Sequence, residues 1–275
     1  MHDSSRQPEL ALLAAAAADY ADAAELARRL GLPLLATGVE PAECDAAAAL
    51  LIVEGPARRL QLTGRGAPGP VRVDFGSAGM RHRRHSGARE LLSKAVGHGK
   101  KTVLRVLDAT AGLGTDAFVL ADLGCEVALC EREPVIVELL RSGLAVAAGS
   151  GDPWLTAVVQ RMRLFPGDAR EMGQTLIPDV DTIYLDPMFP ARRKSAAVKK
   201  EMALFQTLLE RSIDPADADA LLLWALQQGT PRVVVKRPAK AASLAGREPS
   251  HCIRGKSVRY DVYVNRKLES VCLAK

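Results

Sequence analysis

Two glycines stand where a buried strand is predicted to turn into a helix, in the stretch 107–116 (LDATAGLGTD). Gly112 and Gly114 let the backbone fold tightly there and let a ligand approach the main chain closely. The free N–H groups at the start of the following helix, beside Thr115 and Asp116, favour an anionic group. The stretch is therefore typical of a loop that binds a nucleotide-type cofactor at the end of a strand.

Acidic and hydroxyl side chains around this loop indicate which cofactor it takes. Glu131 ends the next predicted strand, where a carboxylate can accept hydrogen bonds from ribose hydroxyls. The glycine pattern also matches the dinucleotide fingerprint, so an NAD- or FAD-dependent oxidoreductase stays an alternative. Asp108 and Thr110, however, place polar groups ahead of the first glycine. They favour S-adenosylmethionine, whose ammonium can pair with Asp108 while its carboxylate faces the helix N-terminus.

A second motif follows another apolar strand, at 184–190 (YLDPMFP), and resembles the Asp-Pro-Pro-Tyr motif of enzymes that methylate amino groups. An exocyclic amine on a nucleobase is a poor nucleophile because its lone pair is delocalised into the ring. Asp186, helped by a backbone carbonyl near Pro187, can accept an N–H hydrogen bond and turn that lone pair toward a methyl group. Phe189 can stack on the base and hold it. These three residues are the predicted catalytic residues of an in-line methyl transfer.

Together the two motifs predict a methyltransferase that uses S-adenosylmethionine and acts on a nucleobase nitrogen. A DNA or protein amino-methyltransferase would share both motifs and stays an alternative. A non-catalytic RNA-binding protein would keep a basic surface without needing Asp186, and the intact Asp-Pro-Met-Phe run disfavours it.

Basic residues are frequent after the predicted strand ends, where they would surround the site and contact the phosphates of a nucleic acid. The predicted RNA-binding residues are Arg192, Arg193, Lys194, Lys199, Lys200, Lys236 and Arg237. The run 81–85 (RHRRH) is either a second phosphate-contacting patch or a linker.

Two parts of the chain differ in their pattern. Residues 1–80 predict a small N-terminal α+β module, and residues 81–275 the methyltransferase domain. In the module the apolar run 10–18 is interpreted as an alanine-rich helix, and a helix over 21–30 ends at Gly31. The predicted strands of the module are 50–53, 59–63 and 71–75, with hairpin punctuation between the last two.

After residue 80, predicted strands alternate with helices, which favours a parallel, doubly wound, Rossmann-like sheet. The strand 258–264 alternates between polar and apolar residues and is expected to be antiparallel. The other predicted strands are 103–107, 126–130, 182–185 and 232–236. The predicted helices are 88–96, 116–123, 134–148, 154–161, 196–210 and 217–226.

Composition sets broad limits on the class of protein. The chain has 275 residues, 48% of them hydrophobic, and a net charge of +5, which leans mildly toward anionic partners. Its five cysteines show no spacing typical of a metal site or a disulfide framework, so we expect a reducing, cytoplasmic environment and no metal. No apolar stretch approaches the length of a membrane span.

The motifs, with the residues around them, resemble the RsmJ family, the ribosomal small subunit methyltransferases J. The matching stretches are 108–114 (DATAGLG), 116–121 (DAFVLA), 131–132 (ER), 184–190 (YLDPMFP), 194–196 (KSA), 198–202 (VKKEM), 232–238 (RVVVKRP) and 259–263 (RYDVY). The resemblance implies a class I methyltransferase that uses S-adenosylmethionine to methylate the N2 amine of one guanosine in small-subunit (16S) ribosomal RNA. It also implies cofactor contacts at Thr115, Asp116, Glu131, Arg132, Asp168, Ala169 and Asp186.

Overall fold

The structure is a computed structural model that describes residues 9–84, 86–176, 179–187 and 215–268. The described residues form two compact units. The first lies within Met1–Val73 and Glu138–Val146, and the second within Asp74–Val137, Ala147–Phe189 and Asp214–Lys275. The division of the chain at residue 80 into a module and a methyltransferase domain stays a prediction. The predicted helix 196–210 lies outside the described residues.

The first unit contains a three-stranded sheet in the order β1-β2-β3, with strands β1 (Leu10–Ala14), β2 (Ala49–Glu54) and β3 (Ala57–Leu62). The helical prediction for 10–18 is wrong over its first half. All five residues of β1 are buried, and they pair in parallel with β2 from Leu10 opposite Ala49 to Ala14 opposite Val53. A strand buried on both faces is a continuous apolar run, and this burial outweighs the helix propensity of its alanines.

Helix α1 (Tyr20–Leu30) follows and ends at Gly31, which takes the left-handed conformation with φ 65°, as predicted. The hairpin of this unit joins β2 to β3, not 59–63 to 71–75. Only one isolated antiparallel bridge, between Leu60 and Val71, remains of the strand that 71–75 predicted. Pro68, Gly69 and Pro70 separate the two segments, and 71–75 forms no continuous ladder of backbone hydrogen bonds with 59–63.

The second unit contains a seven-stranded sheet in the order β6-β5-β4-β7-β8-β10-β9. Its strands are β4 (Arg105–Asp108), β5 (Glu126–Glu131), β6 (Met162–Pro166), β7 (Thr182–Leu185), β8 (Arg232–Pro238), β9 (His251–Arg254) and β10 (Val258–Val264). All neighbours pair in parallel except β10, which is antiparallel to both β8 and β9. The Rossmann-like sheet and the antiparallel final strand are therefore confirmed.

Helices precede the first of these strands and connect several of the others, as the alternating pattern predicts. They are α2 (Ala78–Arg83), α3 (Gly87–Val96), α4 (Thr115–Asp122), α5 (Pro134–Ala148), α6 (Pro153–Val159), α7 (Ala169–Leu176) and α8 (Pro215–Gln227). Within the described ranges, none of them combines the length and the apolar character that a membrane span requires.

The strand order reverses at β4. From β4 the chain continues to β5 and β6 on one side of the sheet, and it then crosses to β7 and β8 on the other side. In such sheets the carboxyl ends of the strands open a crevice at the reversal, where ligands bind. A buried cluster beneath that edge, including Leu107, Ile183, Val233 and Leu222, holds β4, β7, β8 and α8 together. The edge therefore presents the residues that follow β4, β5 and β7 on a packed base.

Candidate active site

The glycine loop closes between the ends of β4 and β5. Gly112 has φ 53° and Gly114, which precedes α4, has φ 73°, so both take a conformation that side chains disfavour. The Ala111 N–H donates to the Cys130 carbonyl over 2.9 Å. Among the described atoms, a Cβ on Gly112 would meet only the Thr110 carbonyl oxygen at 4.0 Å, which leaves room for a ligand.

Glu131 holds this loop from the end of β5. Its Oε2 accepts the Gly112 N–H over 2.8 Å, and its Oε1 accepts the Glu133 N–H over 2.9 Å. Burial raises the pKa of Glu131, and these backbone donors partly offset the rise. The carboxylate is thus held rigidly at the strand end, and each oxygen keeps a further lone pair that can accept a hydroxyl.

Asp108, the last residue of β4, is 2% exposed. Its Oδ1 accepts the Thr110 N–H over 3.1 Å. Burial, reinforced by the charges of Asp116, Asp186 and Glu131, raises the pKa of Asp108 well above its usual value. A cation beside Asp108 would lower this pKa, because the positive charge would stabilise the ionised carboxylate.

Thr110 connects the two sequence motifs. Its hydroxyl oxygen accepts the backbone N–H of Asp186 over 2.7 Å, and the Tyr184 carbonyl accepts the Ala109 N–H over 3.0 Å. The glycine loop and the Asp-Pro turn are therefore joined by hydrogen bonds at one edge of the sheet. Asp186 is partly exposed there, and Pro187 behind it is buried.

Asp186 also belongs to an ionic network. Lys236, within β8, places its Nζ 2.7 Å from Asp186 Oδ2 and 2.7 Å from Asp116 Oδ2. The Tyr184 hydroxyl donates to the same Asp116 oxygen over 2.7 Å, and Arg83 lies 3.9 Å from Asp116 Oδ1. Burial raises the pKa of Asp186 despite the nearby Lys236, while the pKa of Asp116 is lowered because Lys236, Tyr184 and Arg83 outweigh its burial.

The remaining predicted cofactor contacts lie at the neighbouring strand ends. Asp168 follows β6, and Ala169, 2% exposed, begins α7. The hydrogen bond from Arg170 is the main cause of a lowered pKa at Asp168, and Arg132 lies 3.7 Å from the same carboxylate. Thr115 is the first residue of α4 and is half-buried. These residues line the edge next to Glu131.

Among the predicted RNA contacts, Lys236 and Arg237 are described, and both lie inside β8 instead of following it. The expectation that they follow a strand end is wrong, because β8 continues to Pro238 in its pairing with β10. Arg237 is 7% exposed and donates to the Ala242 carbonyl over 2.6 Å. The other predicted residues, Phe189, Arg192, Arg193, Lys194, Lys199 and Lys200, lie outside the described residues.

Sequence reasoning missed Tyr184 and Arg83 as neighbours of Asp116, and Lys236 as the partner of Asp186. Tyr184 had a recognisable signal, since a residue two positions before Asp186 shares its face of the strand. Lys236 had a weaker signal, as the polar residue that directly follows the apolar run Val233–Val235. No pattern in the sequence indicates that Arg83 lies beside Asp116.

The charge of the strand edge discriminates between the two cofactor classes. Four carboxylates gather there, on Asp108, Asp116, Glu131 and Asp186, and in the described part of the chain Lys236 and Arg83 approach them. The pyrophosphate of a dinucleotide carries two negative charges and would be repelled. S-adenosylmethionine carries a sulfonium and an ammonium against one carboxylate, so the residues present fit it. The described residues contain no group of three or more acidic, histidine or cysteine side chains that could hold a metal ion.

Comparison with known proteins agrees with this geometry. A family model described as putative SAM-dependent methyltransferase matches residues 38–265. A ribosomal RNA small subunit methyltransferase J from Stutzerimonas stutzeri is 49% identical over 251 residues, which cover 90% of this chain and 92% of the relative. One from Thioalkalivibrio sulfidiphilus is 49% identical over 254 residues, which cover 90% and 95%.

Among solved structures, a SAM-dependent methyltransferase from Neisseria gonorrhoeae superposes with a TM-score of 0.69 at 34% identity, covering 94% of this chain and 97% of that one. The class I fold and S-adenosylmethionine as the cofactor are thereby confirmed, and the dinucleotide alternative is set aside. On the matched length, the sequence identity and the shared fold, the chain belongs to the ribosomal RNA small subunit methyltransferase J family of S-adenosylmethionine-dependent methyltransferases.

Proposed function

We propose that the protein transfers a methyl group from S-adenosylmethionine to the exocyclic N2 amine of one guanosine in small-subunit (16S) ribosomal RNA. The observation that carries the proposal is the hydrogen bond from the Asp186 N–H to the Thr110 hydroxyl. It places the carboxylate that would orient an amine directly beside the loop that would hold the cofactor. The names of the relatives supply the substrate class, ribosomal RNA of the small subunit.

In this proposal the chain's own residues act mainly by position. The Asp186 carboxylate accepts one N–H of the guanine amine, a backbone carbonyl near Pro187 accepts the other, and Phe189 stacks on the base. The bound sulfonium supplies an electrophilic methyl carbon: the N–C bond forms as the S–C bond breaks, leaving S-adenosylhomocysteine. The proton lost by the nitrogen passes to Asp186 and on to water.

The same edge supplies the groups that would hold the cofactor. Asp108 would pair with the ammonium, and the N-terminus of α4 at Thr115 would face the carboxylate. Glu131 would accept the ribose hydroxyls with its remaining lone pairs. Contacts from Asp116, Arg132, Asp168, Ala169 and Asp186 are carried over from the family resemblance and remain part of the proposal.

The RNA phosphates need cations near this edge, and α2 offers them. Arg81 and Arg83 in the last turn of α2, and Arg84 directly after it, are exposed. Arg81 and Arg84 lie 5.0 and 4.9 Å from the ring of Trp154 and pair with Asp152 and Asp122, and these contacts order their guanidinium groups. Arg83 lies 3.9 Å from Asp116, which Lys236 links to Asp186. We assign α2 to the phosphates flanking the target nucleotide, while the contacts predicted for 192–200 stay predictions.

The experiment is methyl transfer from labelled S-adenosylmethionine to small ribosomal subunits that lack the modification, followed by identification of the labelled nucleoside. We expect N2-methylguanosine. Asp186→Asn should lower the rate by roughly 10²–10³-fold, the usual cost of losing a group that acts in the transition state. The matched control is Asp179→Asn, whose side chain is 82% exposed and pairs with Arg105. Label in another nucleoside, in DNA or in protein would overturn the substrate assignment.

The α2 assignment has its own test. Arg83→Gln should weaken RNA binding and reduce the slope of log affinity against log salt by about one, because one phosphate contact is lost. Arg65→Gln is the control, since Arg65 is an 88% exposed arginine of the first unit paired with Glu43. If the two variants gave equal slopes of log affinity against log salt, the assignment of α2 to the RNA-binding surface would be wrong.

A further inference from the structure

Lys236 joins two carboxylates that belong to different elements. Its ammonium lies 2.7 Å from Asp116 Oδ2 on α4 and 2.7 Å from Asp186 Oδ2 after β7. The sheet register brings this about: Leu185 of β7 lies opposite Val235 of β8, so one step further along Lys236 reaches Asp186. The lysine side chain is 23% exposed, so water screens these ion pairs only partly.

Acidic and phenolic groups face this ammonium from most of the elements around it. Asp186 is flanked by Asp116, and both charges act on Asp108. The titratable and charged side chains concerned are Asp108 of β4, Asp116 of α4, Tyr184 of β7, Lys236 of β8, Tyr260 of β10, Arg83 of α2 and Asp186 itself. In the described part of the chain, Lys236 contacts both Asp116 and Asp186, and Arg83 adds a second positive charge beside Asp116.

The charges set the protonation states of Lys236 and Asp186. Burial alone would lower the pKa of Lys236, but Asp116 and Asp186 raise it above its usual value. Lys236 therefore stays protonated through the neutral range and is a fixed charge instead of a base. For Asp186, burial and Asp116 raise the pKa, and Lys236 opposes the rise through its charge and its hydrogen bond.

We propose that Lys236 is a positioning residue for the methyl transfer: it keeps the Asp186 carboxylate ionised and holds it through Oδ2, so that Oδ1 faces the guanine amine. The inference rests on the proposed function. An ionised carboxylate accepts the amine N–H strongly, whereas a protonated one presents a competing O–H donor and accepts weakly. One ion pair at Oδ2 also prevents the carboxylate from rotating away from the base.

The test is the pH dependence of kcat at saturating S-adenosylmethionine and ribosomal subunit. Activity requires ionised Asp186, so the rate falls as the pH drops through its pKa. In Lys236→Met the acid limb should move up by roughly 1–3 pH units, the usual effect of one close opposite charge. In Lys236→Arg, which keeps the charge, the limb should stay in place with a lower plateau. In Asp116→Asn it should move down, because a like charge is removed.

A structural role alone would lower stability without moving the acid limb, and an unmoved limb in a folded Lys236→Met would overturn the inference. If a variant has no measurable activity, the titration of Asp186 is followed by ¹³C NMR of the aspartate side-chain carboxyl carbons. The Asp186 signal is assigned as the one that is lost in Asp186→Asn. Its titration midpoint should rise in Lys236→Met, and an unchanged midpoint counts against the inference. Failure of the wild-type protein to methylate guanosine would instead contradict the proposed function, while the NMR titration would still report on the lysine.

Discussion

Two ion-pair clusters lie close together in the second unit and differ in charge balance. On β10, Arg259 donates to both oxygens of Asp261 over 2.7 and 3.0 Å, and the two side chains are 8% and 1% exposed. On β8, Lys236 lies 2.7 Å from both Asp116 and Asp186, and Arg83 lies 3.9 Å from Asp116. Burial raises the pKa of both Asp261 and Asp186, but Arg259 reverses the rise for Asp261, whereas Lys236 does not for Asp186.

The difference separates a pair that stabilises the fold from a site that keeps unbalanced charge for a ligand. A buried pair with matched charges and satisfied hydrogen bonds leaves nothing for a partner to complete. Asp186 shares the Lys236 ammonium with Asp116, so its carboxylate remains a good acceptor. This contrast can be tested by breaking each cluster in turn.

Asp261→Asn should give the largest effect on stability. It leaves a buried arginine without its counter-ion, and we expect a loss of about 3 kcal/mol, the low end for a broken buried pair because the amide oxygen still accepts. Urea unfolding at neutral pH measures it. Since the pKa of Asp261 is lowered, its stabilisation is present above the usual value and is lost as the pH falls through the lowered one.

The folded Asp261→Asn protein should retain its methyl-transfer rate within about threefold, a change below 1 kcal/mol. Asp179→Asn, on the exposed surface, should change stability by less than about 0.5 kcal/mol. A loss of activity in Asp261→Asn comparable with that of Asp186→Asn would erase the distinction between the two clusters.

Asp108→Asn should have the opposite effect on stability. The raised pKa of Asp108 means that its ionised form destabilises the fold, and this penalty grows as the pH rises from the usual value toward the raised one. Removing the charge should raise the free energy of unfolding at neutral pH by roughly 0.5–2 kcal/mol, in the range of single stabilising substitutions. Affinity for S-adenosylhomocysteine should fall in the same variant, as isothermal titration calorimetry can show. A variant that is both less stable and unchanged in affinity would contradict the prediction.

Cofactor binding should release a proton from Asp108 wherever the free protein holds it protonated. The ammonium of the ligand favours the ionised carboxylate, so affinity for S-adenosylhomocysteine should rise with pH, by up to about tenfold per pH unit, or 1.4 kcal/mol. Calorimetry in two buffers of different ionisation enthalpy counts the protons. Wild-type protein that binds without proton release from pH 4 to 8 would show that Asp108 does not meet the ammonium.

The smallest effect is expected at Glu131. Glu131→Gln keeps an oxygen for the Gly112 N–H, but its amide nitrogen replaces the oxygen that accepts the Glu133 N–H and can no longer accept a ribose hydroxyl. Affinity for S-adenosylhomocysteine should fall by about 2–10-fold, the value of one net hydrogen bond. Glu126→Gln, at the other end of β5, is the matched control and should bind as the wild type does. Equal affinities of the two variants would remove Glu131 from the ribose site.

Much of the fold could be predicted where local patterns agree with it. The long helix Pro134–Ala148 and the strands Thr182–Leu185 and Val258–Val264 were predicted with the observed bounds. The strand Met162–Pro166, the helix Ala169–Leu176 and the strand His251–Arg254 were missed. Each is short and mixes polar with apolar residues, so pairing partners distant in the chain decide its conformation.

The candidate site was predictable in its parts but not in its connections. Glycines after a strand and an Asp-Pro turn are local signals, and parallel strand ends must meet at one edge. The network around Lys236 depends on β8 lying between β7 and β10, and no spacing in the sequence reveals that order. The strand Leu10–Ala14 failed for the same reason, since its parallel partner begins 39 positions later, at Ala49.

The place of β10 in the sheet has a consequence for synthesis of the chain. Strand β8 carries Lys236, and β10 covers its free edge from Val258 to Val264, at the far end of the described chain. While the chain emerges from the ribosome, β8 keeps an open row of backbone donors and acceptors until β10 arrives. The edge of β8 is therefore covered only after translation has passed residue 264, and a nascent chain that stalls before β10 leaves this edge open to pairing with another strand.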